Sequence, residues 1–205
     1  IKRLARVVNV EARQFELVEE LADNVELPIQ VTIASGFPKG DKLEFITQKV
    51  TELGARQIWA FPADWSVAKW DGKKLGKKVE KLEKIALGAA EQSKRNLVPS
   101  IQLFEKKSDF LAQLEQFDRI VVAYEESAKE GETAALIQSL TGLEAGNQLL
   151  LIFGPEGGLS PSEIGSFEAK GAVLAGLGPR ILRAETAPLY ALSAVSVVTE
   201  LMKNA

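Results

Sequence analysis

Two glycine-bearing segments near the C-terminus carry the residues best suited to hold a ligand. The first, Gly154-Pro155-Glu156-Gly157-Gly158, directly follows the apolar run Leu149-Leu150-Leu151-Ile152-Phe153 and precedes a helix-start signal at Ser160-Pro161-Ser162-Glu163. The second, Leu177-Gly178-Pro179-Arg180-Ile181-Leu182-Arg183-Ala184-Glu185-Thr186-Ala187, follows another short apolar run and opens the last Ala-rich helical stretch. Glycine permits positive φ and lets a ligand come close to the backbone. Two such loops after strands imply a ligand held largely by main-chain groups, at the strand ends where open α/β sheets bind ligands. The chain contains no His and no Cys, so imidazole and thiol chemistry are excluded. Chemistry falls to Asp, Glu, Lys, Arg, Ser, Thr and Tyr, or to a bound cofactor.

An isolated Gly-Gly pair reads as a tight turn; the second segment shifts that reading. Gly178 and Pro179 shape a turn, while Ile181 and Leu182 are apolar where a loop is expected, so they line a pocket or fill a tight core. Glu185 has an ordinary reading as an acid favoured by the dipole at a helix N-terminus, and Thr186 one as a cap. Arg183 has no such role at that end of a helix. No Gly-x-Gly-x-x-Gly and no Gly-x-x-x-x-Gly-Lys-Ser/Thr occurs, which argues against a dinucleotide fingerprint and a Walker phosphate cradle.

The elements that must position these loops alternate between periods of two and 3.6. Leu4–Val10 and Gln14–Leu21 alternate around Asn9-Val10-Glu11-Ala12 as a β-hairpin, and the polar stretch Asp23–Pro28 reads as a boundary. Strands are expected at Ile29–Ala34, Gln57–Phe61, Ser100–Phe104, Arg119–Tyr124, Gln148–Phe153 and Ala172–Ala175. Helices are expected from Asp41 to Gly54, then over Lys73–Gln92, Asp109–Leu114, Thr133–Leu140, Ser160–Ala169 and Glu185–Met202. Capping boxes are expected at Asp41/Glu44 and Ser160/Glu163, with Pro161 at the first helical position and Gly54 ending the first helix. Strands alternating with helices of this length give an α/β fold with a mainly parallel sheet covered on both faces.

At 205 residues, 46% hydrophobic and 26% charged, the composition is that of an ordinary soluble globular chain with one core and room for a small appendage. No apolar run reaches the ~20 residues that span a bilayer. The chain opens on Ile1 without a secretory pattern, and the absence of cysteine fits a cytoplasmic address. Net charge is −3, unevenly spread. Nine basic residues against four acids lie between Lys69 and Arg95, and twelve acids against five bases between Glu105 and Lys170. A basic stripe over Lys73–Lys84 can attract a polyanion; its plain alternative is a solvated helix face.

The two loops, together with Lys39-Gly40-Asp41-Lys42, Lys49-Val-Thr-Glu-Leu-Gly54, Ala89-Ala-Glu-Gln-Ser-Lys-Arg95 and Val98-Pro99, resemble the RsmE family of ribosomal RNA methyltransferases. The resemblance runs in order from Ile29 to Asn204. It implies a SPOUT-class domain over 27–205 whose C-terminal part forms a deep trefoil knot. It also implies that residues 1–26 are the last part of a PUA-like β-barrel, of which only the hairpin lies in this chain. The implied activity is S-adenosylmethionine-dependent methylation of N3 of a uridine in small-subunit (16S) ribosomal RNA by a homodimer, with no metal and no membrane.

Carried onto this chain, the resemblance gives Arg183 as stabiliser of the uracil anion and Glu185 as proton acceptor or relay. Cofactor would be held by Phe153, Gly154, Pro155, Gly157, Leu177, Gly178, Ile181, Leu182 and Thr186, and substrate by Lys39, Gln92 and Arg95. Glu156 is expected to tie its own loop together through backbone amides. Trp65 stands where relatives are expected to carry Arg, so a basic RNA contact is lost or moved to Lys69. A SPOUT enzyme acting on another base or a ribose 2′-hydroxyl, and a non-catalytic RNA-binding or ribosome-assembly module of the same fold, remain alternatives.

Overall fold

The computed structural model describes residues 2–21, 24–125 and 134–202. A two-stranded antiparallel hairpin comes first, β1 (Lys2–Asn9) with β2 (Gln14–Leu21). The rest alternates: β3 (Gln30–Gly36), α1 (Lys42–Glu52), β4 (Gln57–Phe61), α2 (Gly72–Gln92), β5 (Ser100–Leu103), α3 (Lys107–Ala112), β6 (Arg119–Ala123), α4 (Ala135–Leu140), β7 (Gln148–Phe153), α5 (Pro161–Glu168), β8 (Val173–Ala175) and α6 (Ala187–Ser196). The main sheet has six strands in the order β5-β4-β3-β7-β6-β8, and every neighbouring pair is parallel.

The central strands are mostly apolar because both faces are covered, with Thr32 and Ser35 of β3 the buried polar exceptions. In β7, Leu149, Leu151 and Phe153 join the layer that α1, α4 and α6 supply with Val50, Leu140 and Leu192. Leu150 and Ile152 point the other way, into an aromatic layer that includes Phe110 of α3 and Phe167 of α5. There Phe61 stacks on Phe110 with centroids 4.2 Å apart. This alternation within an unbroken apolar run is what a doubly covered parallel strand requires. Because α1 leaves β3 for one face and α5 leaves the adjacent β7 for the other, their carboxyl ends frame a crevice.

Of the two expected capping boxes, the one at α5 forms and the one at α1 does not. At α5 the box is complete: Ser160 Oγ accepts from the Glu163 amide at 3.2 Å, and the Glu163 carboxylate accepts from the Ser160 amide at 2.9 Å. At α1, Asp41 is the N-cap residue but makes no side-chain cap bond. Its backbone is not extended, and Glu44 faces Lys81 at 2.7 Å instead of turning back. Gly54 ends α1 with φ +101°, and a Cβ there would meet Leu27 at 2.8 Å.

Other differences lie at element ends. The short helix expected over Asp109–Leu114 starts at Lys107, stops at Ala112, and is followed by a 3₁₀ turn at Leu114–Gln116. The last helix passes into a π turn over Val197–Leu201. Thr133, the expected start of α4, and Asp23, in the expected boundary, lie outside the described residues.

Candidate active site

The cleft is made at the carboxyl ends of β3, β6, β7 and β8. A cavity of about 700 Å³ is lined by both glycine segments, including Phe153, Gly154, Pro155, Gly157, Ile181, Leu182 and Arg183. A smaller apolar compartment of about 250 Å³ is formed by Leu177, Gly178 and the residues after them against Ala123 and Tyr124. Ala123, Tyr124, Ile181 and Leu182 line both, so the two are continuous.

Glycine is required where the walls meet. A Cβ on Gly36 would lie 2.5 Å from Pro155 Cδ, and one on Gly154 would lie 2.9 Å from the carbonyl carbon of Gly158. The loop after β7 is therefore pressed against the end of β3 and folded tightly back on itself.

The sequence reading missed the residue that ties the two segments together. Lys42, the first residue of α1, places its Nζ 3.0 Å from Glu156 of the first segment and 3.0 Å from Glu185 of the second. Glu156 also accepts from the Lys39 main-chain amide at 3.1 Å, so the loop after β3 joins the clasp. Glu156 thus binds a neighbouring loop as well as its own. The charges fix one another. Pairing with Glu156 and then with Glu185 holds Lys42 above its ordinary range. Burial pushes Glu156 and Glu185 up, but Lys42, backbone amides and, for Glu185, the nearby Arg183 outweigh it and leave both carboxyls below their usual range. A signal for Lys42 did exist: a cation in the first turn of a helix opposes the helix dipole, and local rules are broken where function requires it.

Arg183 is set by the start of α6. Its carbonyl accepts from the amides of Thr186 at 2.8 Å and Ala187 at 3.0 Å, while its side chain is exposed at the cleft wall. Thr186 is the N-cap residue of α6 without a side-chain cap bond, and it lies outside the cleft lining. Among the described residues, no main-chain group from Leu177 to Leu182 has a hydrogen-bond partner within the protein. Main-chain donors and acceptors beside apolar walls suit a nucleoside, whose ring is apolar on its faces and polar at its edges. Among the described residues no group of three or more His, Cys, Asp or Glu could hold a metal ion, and no helix is long and apolar enough to cross a membrane.

The three expected substrate residues separate. Lys39 is exposed at the rim, with its backbone in the clasp. Gln92 lies in a different groove, between α1 and α2, with Glu44 and Lys84. Arg95 is corrected outright: its side chain is only 3% exposed. It pairs with Glu26 and donates to the carbonyls of Thr51 at 3.0 Å and Ala55 at 2.8 Å. Glu26 in turn accepts from the amides of Asn96 and Leu97. With every donor engaged inside the protein, Arg95 locks the end of α1 to the strand-entry segment and is not at the surface.

A crevice at a parallel-sheet switch, closed by two backbone loops and carrying an arginine, defines a nucleoside-binding α/β enzyme site. Comparison with known proteins narrows the class. The RNA methyltransferase domain family matches residues 25–196. Ribosomal RNA small subunit methyltransferase E of Bacillus subtilis is 52% identical over 188 residues, spanning 92% of this chain and 73% of that protein. Two solved structures share the fold with cofactor present. One is ribosomal RNA small subunit methyltransferase E of Neisseria gonorrhoeae bound to S-adenosyl methionine, with TM-score 0.76 and 26% identity over 96% of this chain and 78% of that one. The other is a methyltransferase from Legionella pneumophila in complex with the same cofactor, with TM-score 0.72 and 27% identity over 94% and 77%. The chain belongs to the RNA methyltransferase family, within its ribosomal RNA small subunit methyltransferase E (RsmE) group.

Proposed function

We propose that this protein uses S-adenosylmethionine to methylate N3 of a uridine in small-subunit (16S) ribosomal RNA, in the cytoplasm and as a homodimer. The observation that carries the proposal is the clasp: two backbone loops drawn together by Lys42 around a cleft that also holds Arg183. The family's named relatives and their cofactor-bound structures support the coarser part of it, S-adenosylmethionine-dependent methylation of small-subunit ribosomal RNA.

When bound, the cofactor supplies a methyl group already activated on a sulfonium. The chain's own groups then have two tasks. The first is orientation: Phe153, Gly154, Pro155, Gly157 and the open main chain of Leu177, Gly178, Ile181 and Leu182 would hold the nucleoside, and the apolar compartment would exclude water from its ring. The second is charge. Uridine N3 becomes nucleophilic only as its proton leaves, and the uracil ring then becomes anionic. A fixed guanidinium stabilises that charge, and Arg183 is the group assigned to it. Glu185 stays ionised beside Lys42 and Arg183, so it can take or relay the proton. Its lowered pKa makes it a weak base, and its main part is to hold Lys42 in the clasp.

The deep trefoil knot is proposed for the C-terminal part. Support comes from β7, late in the chain, lying between β3 and β6, with its following loop held against the loop after β8. Dimerisation is supported by exposed apolar side chains at Ile181 and at Tyr190, Val197, Leu201 and Met202 along the C-terminal helix. The hairpin is assigned to a PUA-like barrel because Leu4, Val7, Val10, Phe15 and Leu17 are all exposed, and an isolated hairpin has no core of its own. The test is incubation with small ribosomal subunits lacking the modification and labelled S-adenosylmethionine, followed by nucleoside mapping. Label in 3-methyluridine is the expected result; label on a ribose or another base refutes the assignment.

A further inference from the structure

Trp65 is the one tryptophan left uncovered. Trp59 is buried among Phe104, Phe110 and Phe117. Trp70 packs on Phe37 with centroids 4.3 Å apart and carries the Lys78 ammonium over its ring at 4.5 Å. Trp65 is 49% exposed, lines the main cleft, and among the described residues has no aromatic or cationic ring partner.

Its backbone is nevertheless held firmly. The Asp64 amide donates to the buried Glu163 carboxylate at 2.9 Å, and the Asp64 carboxylate is engaged by Ser160 and Lys107. The Ser66 amide closes the turn on the Ala63 carbonyl at 3.0 Å. The first glycine loop forms its seat. A Cβ on Gly157 would lie 3.0 Å from Trp65 Cβ, and one on Gly158 would lie 3.9 Å from two carbons of the indole ring. An anchored indole that leaves half its surface uncovered gains little from folding. It does give a rigid π face at low entropic cost, the feature by which single-stranded nucleic acid is bound through stacking.

Resting on the functional reading above, we propose that Trp65 is the stacking face for the acceptor nucleobase of the RNA. The chemistry recognised is a nucleobase ring, which the cofactor's adenine also offers. Position favours the RNA base: Trp65 shares the larger compartment with Arg183, whereas the smaller apolar compartment built by Leu177–Leu182 excludes it. A base embedded in structured RNA must leave its stack to be methylated at N3, and an aromatic wall offsets the lost stacking.

The test uses tryptophan fluorescence of the full chain and of Trp65→Phe, which keeps Trp59 and Trp70. Each is titrated with a uridine-containing single-stranded oligoribonucleotide and, separately, with S-adenosylhomocysteine. The oligonucleotide is expected to quench the wild type and not Trp65→Phe, and S-adenosylhomocysteine to quench neither through Trp65. Trp65→Ala is expected to lower kcat/KM for ribosomal RNA roughly 10- to 100-fold, with affinity for S-adenosylhomocysteine unchanged and Trp65→Phe recovering most of the loss. Equal quenching of wild type and Trp65→Phe by RNA, or an unaltered kcat/KM in Trp65→Ala, overturns the proposal. Quenching by S-adenosylhomocysteine with weakened binding in Trp65→Ala assigns the ring to adenine and overturns it equally. Quenching is read without turnover, so absent methyl transfer would count against the functional reading while the stacking result stands.

Discussion

Replacing Lys42 by Met removes the charge that joins the two loops and keeps most of the side chain's volume. Glu156 and Glu185 each lie 3.0 Å from the same nitrogen, so their nearest oxygens are at most about 6 Å apart. Two unit charges at that distance repel by roughly 3 kcal/mol at an effective dielectric constant of about 20. Both carboxylates keep some contact with water, at 25% and 19% side-chain exposure. Screening therefore reduces the penalty to about 1–2 kcal/mol. If the loops part to relieve it, S-adenosylhomocysteine should bind roughly 5- to 30-fold more weakly.

The pH dependence gives a second, sharper readout. In the wild type both carboxyls are depressed below their ordinary 4.5, and Lys42 is raised above its ordinary 10.5. The carboxylates' contribution is fully present above 4.5 and fades as pH falls through their depressed values. That of Lys42 is fully present below 10.5 and fades as pH rises through its raised value. Affinity measured by calorimetry should thus be flat from pH 5 to 9 as far as the clasp decides it. In Lys42→Met, burial with the main counter-charge removed pushes the carboxyls up. Affinity should then improve as pH falls towards 5 and one of them takes a proton. Wild-type affinity and a flat profile in Lys42→Met, with an unchanged melting temperature, would refute the clasp.

Arg95→Ala should act on stability and not on RNA. Removing one partner of a buried pair costs about 3–5 kcal/mol, a Tm fall of roughly 10 °C in a domain of this size, and an unchanged Tm with weakened RNA binding would return Arg95 to the RNA-binding face. Arg183→Ala should keep the wild-type melting curve and cofactor affinity while methyl transfer drops by at least about 100-fold; undiminished turnover would remove the anion-stabilising role. Joint Lys73→Ala, Lys77→Ala and Lys84→Ala should flatten the salt dependence of RNA binding by about 2 in log–log slope, and an unaltered slope would take that face of α2 out of the interface.

The sheet was legible from its most apolar strands, and Leu149–Phe153 can satisfy that pattern only between two helical layers. Chain punctuation was legible where chemistry is local: Ser160 and Glu163 meet within one turn, and Gly54 needs its positive φ. What stayed hidden is long-range. Lys42 and Glu185 are 143 positions apart in sequence, and only the strand order brings α1 against the loop after β8. Arg95 was misread because a basic residue in a lysine-rich stretch looks exposed, whereas its partner Glu26 lies in the segment entering β3. Asp41 looked like a cap because the spacing to Glu44 is right, but Glu44 finds lysines on the neighbouring helix.

A crystal structure with S-adenosylhomocysteine bound tests the central claim most directly. The adenosine should lie between Gly154–Gly158 and Leu177–Leu182, hydrogen-bonded to main-chain atoms of the second segment, with Lys42 still bridging Glu156 and Glu185 and Arg183 facing the sulfur. An adenosine bound elsewhere, or held by side chains with those two segments out of reach, would contradict the account.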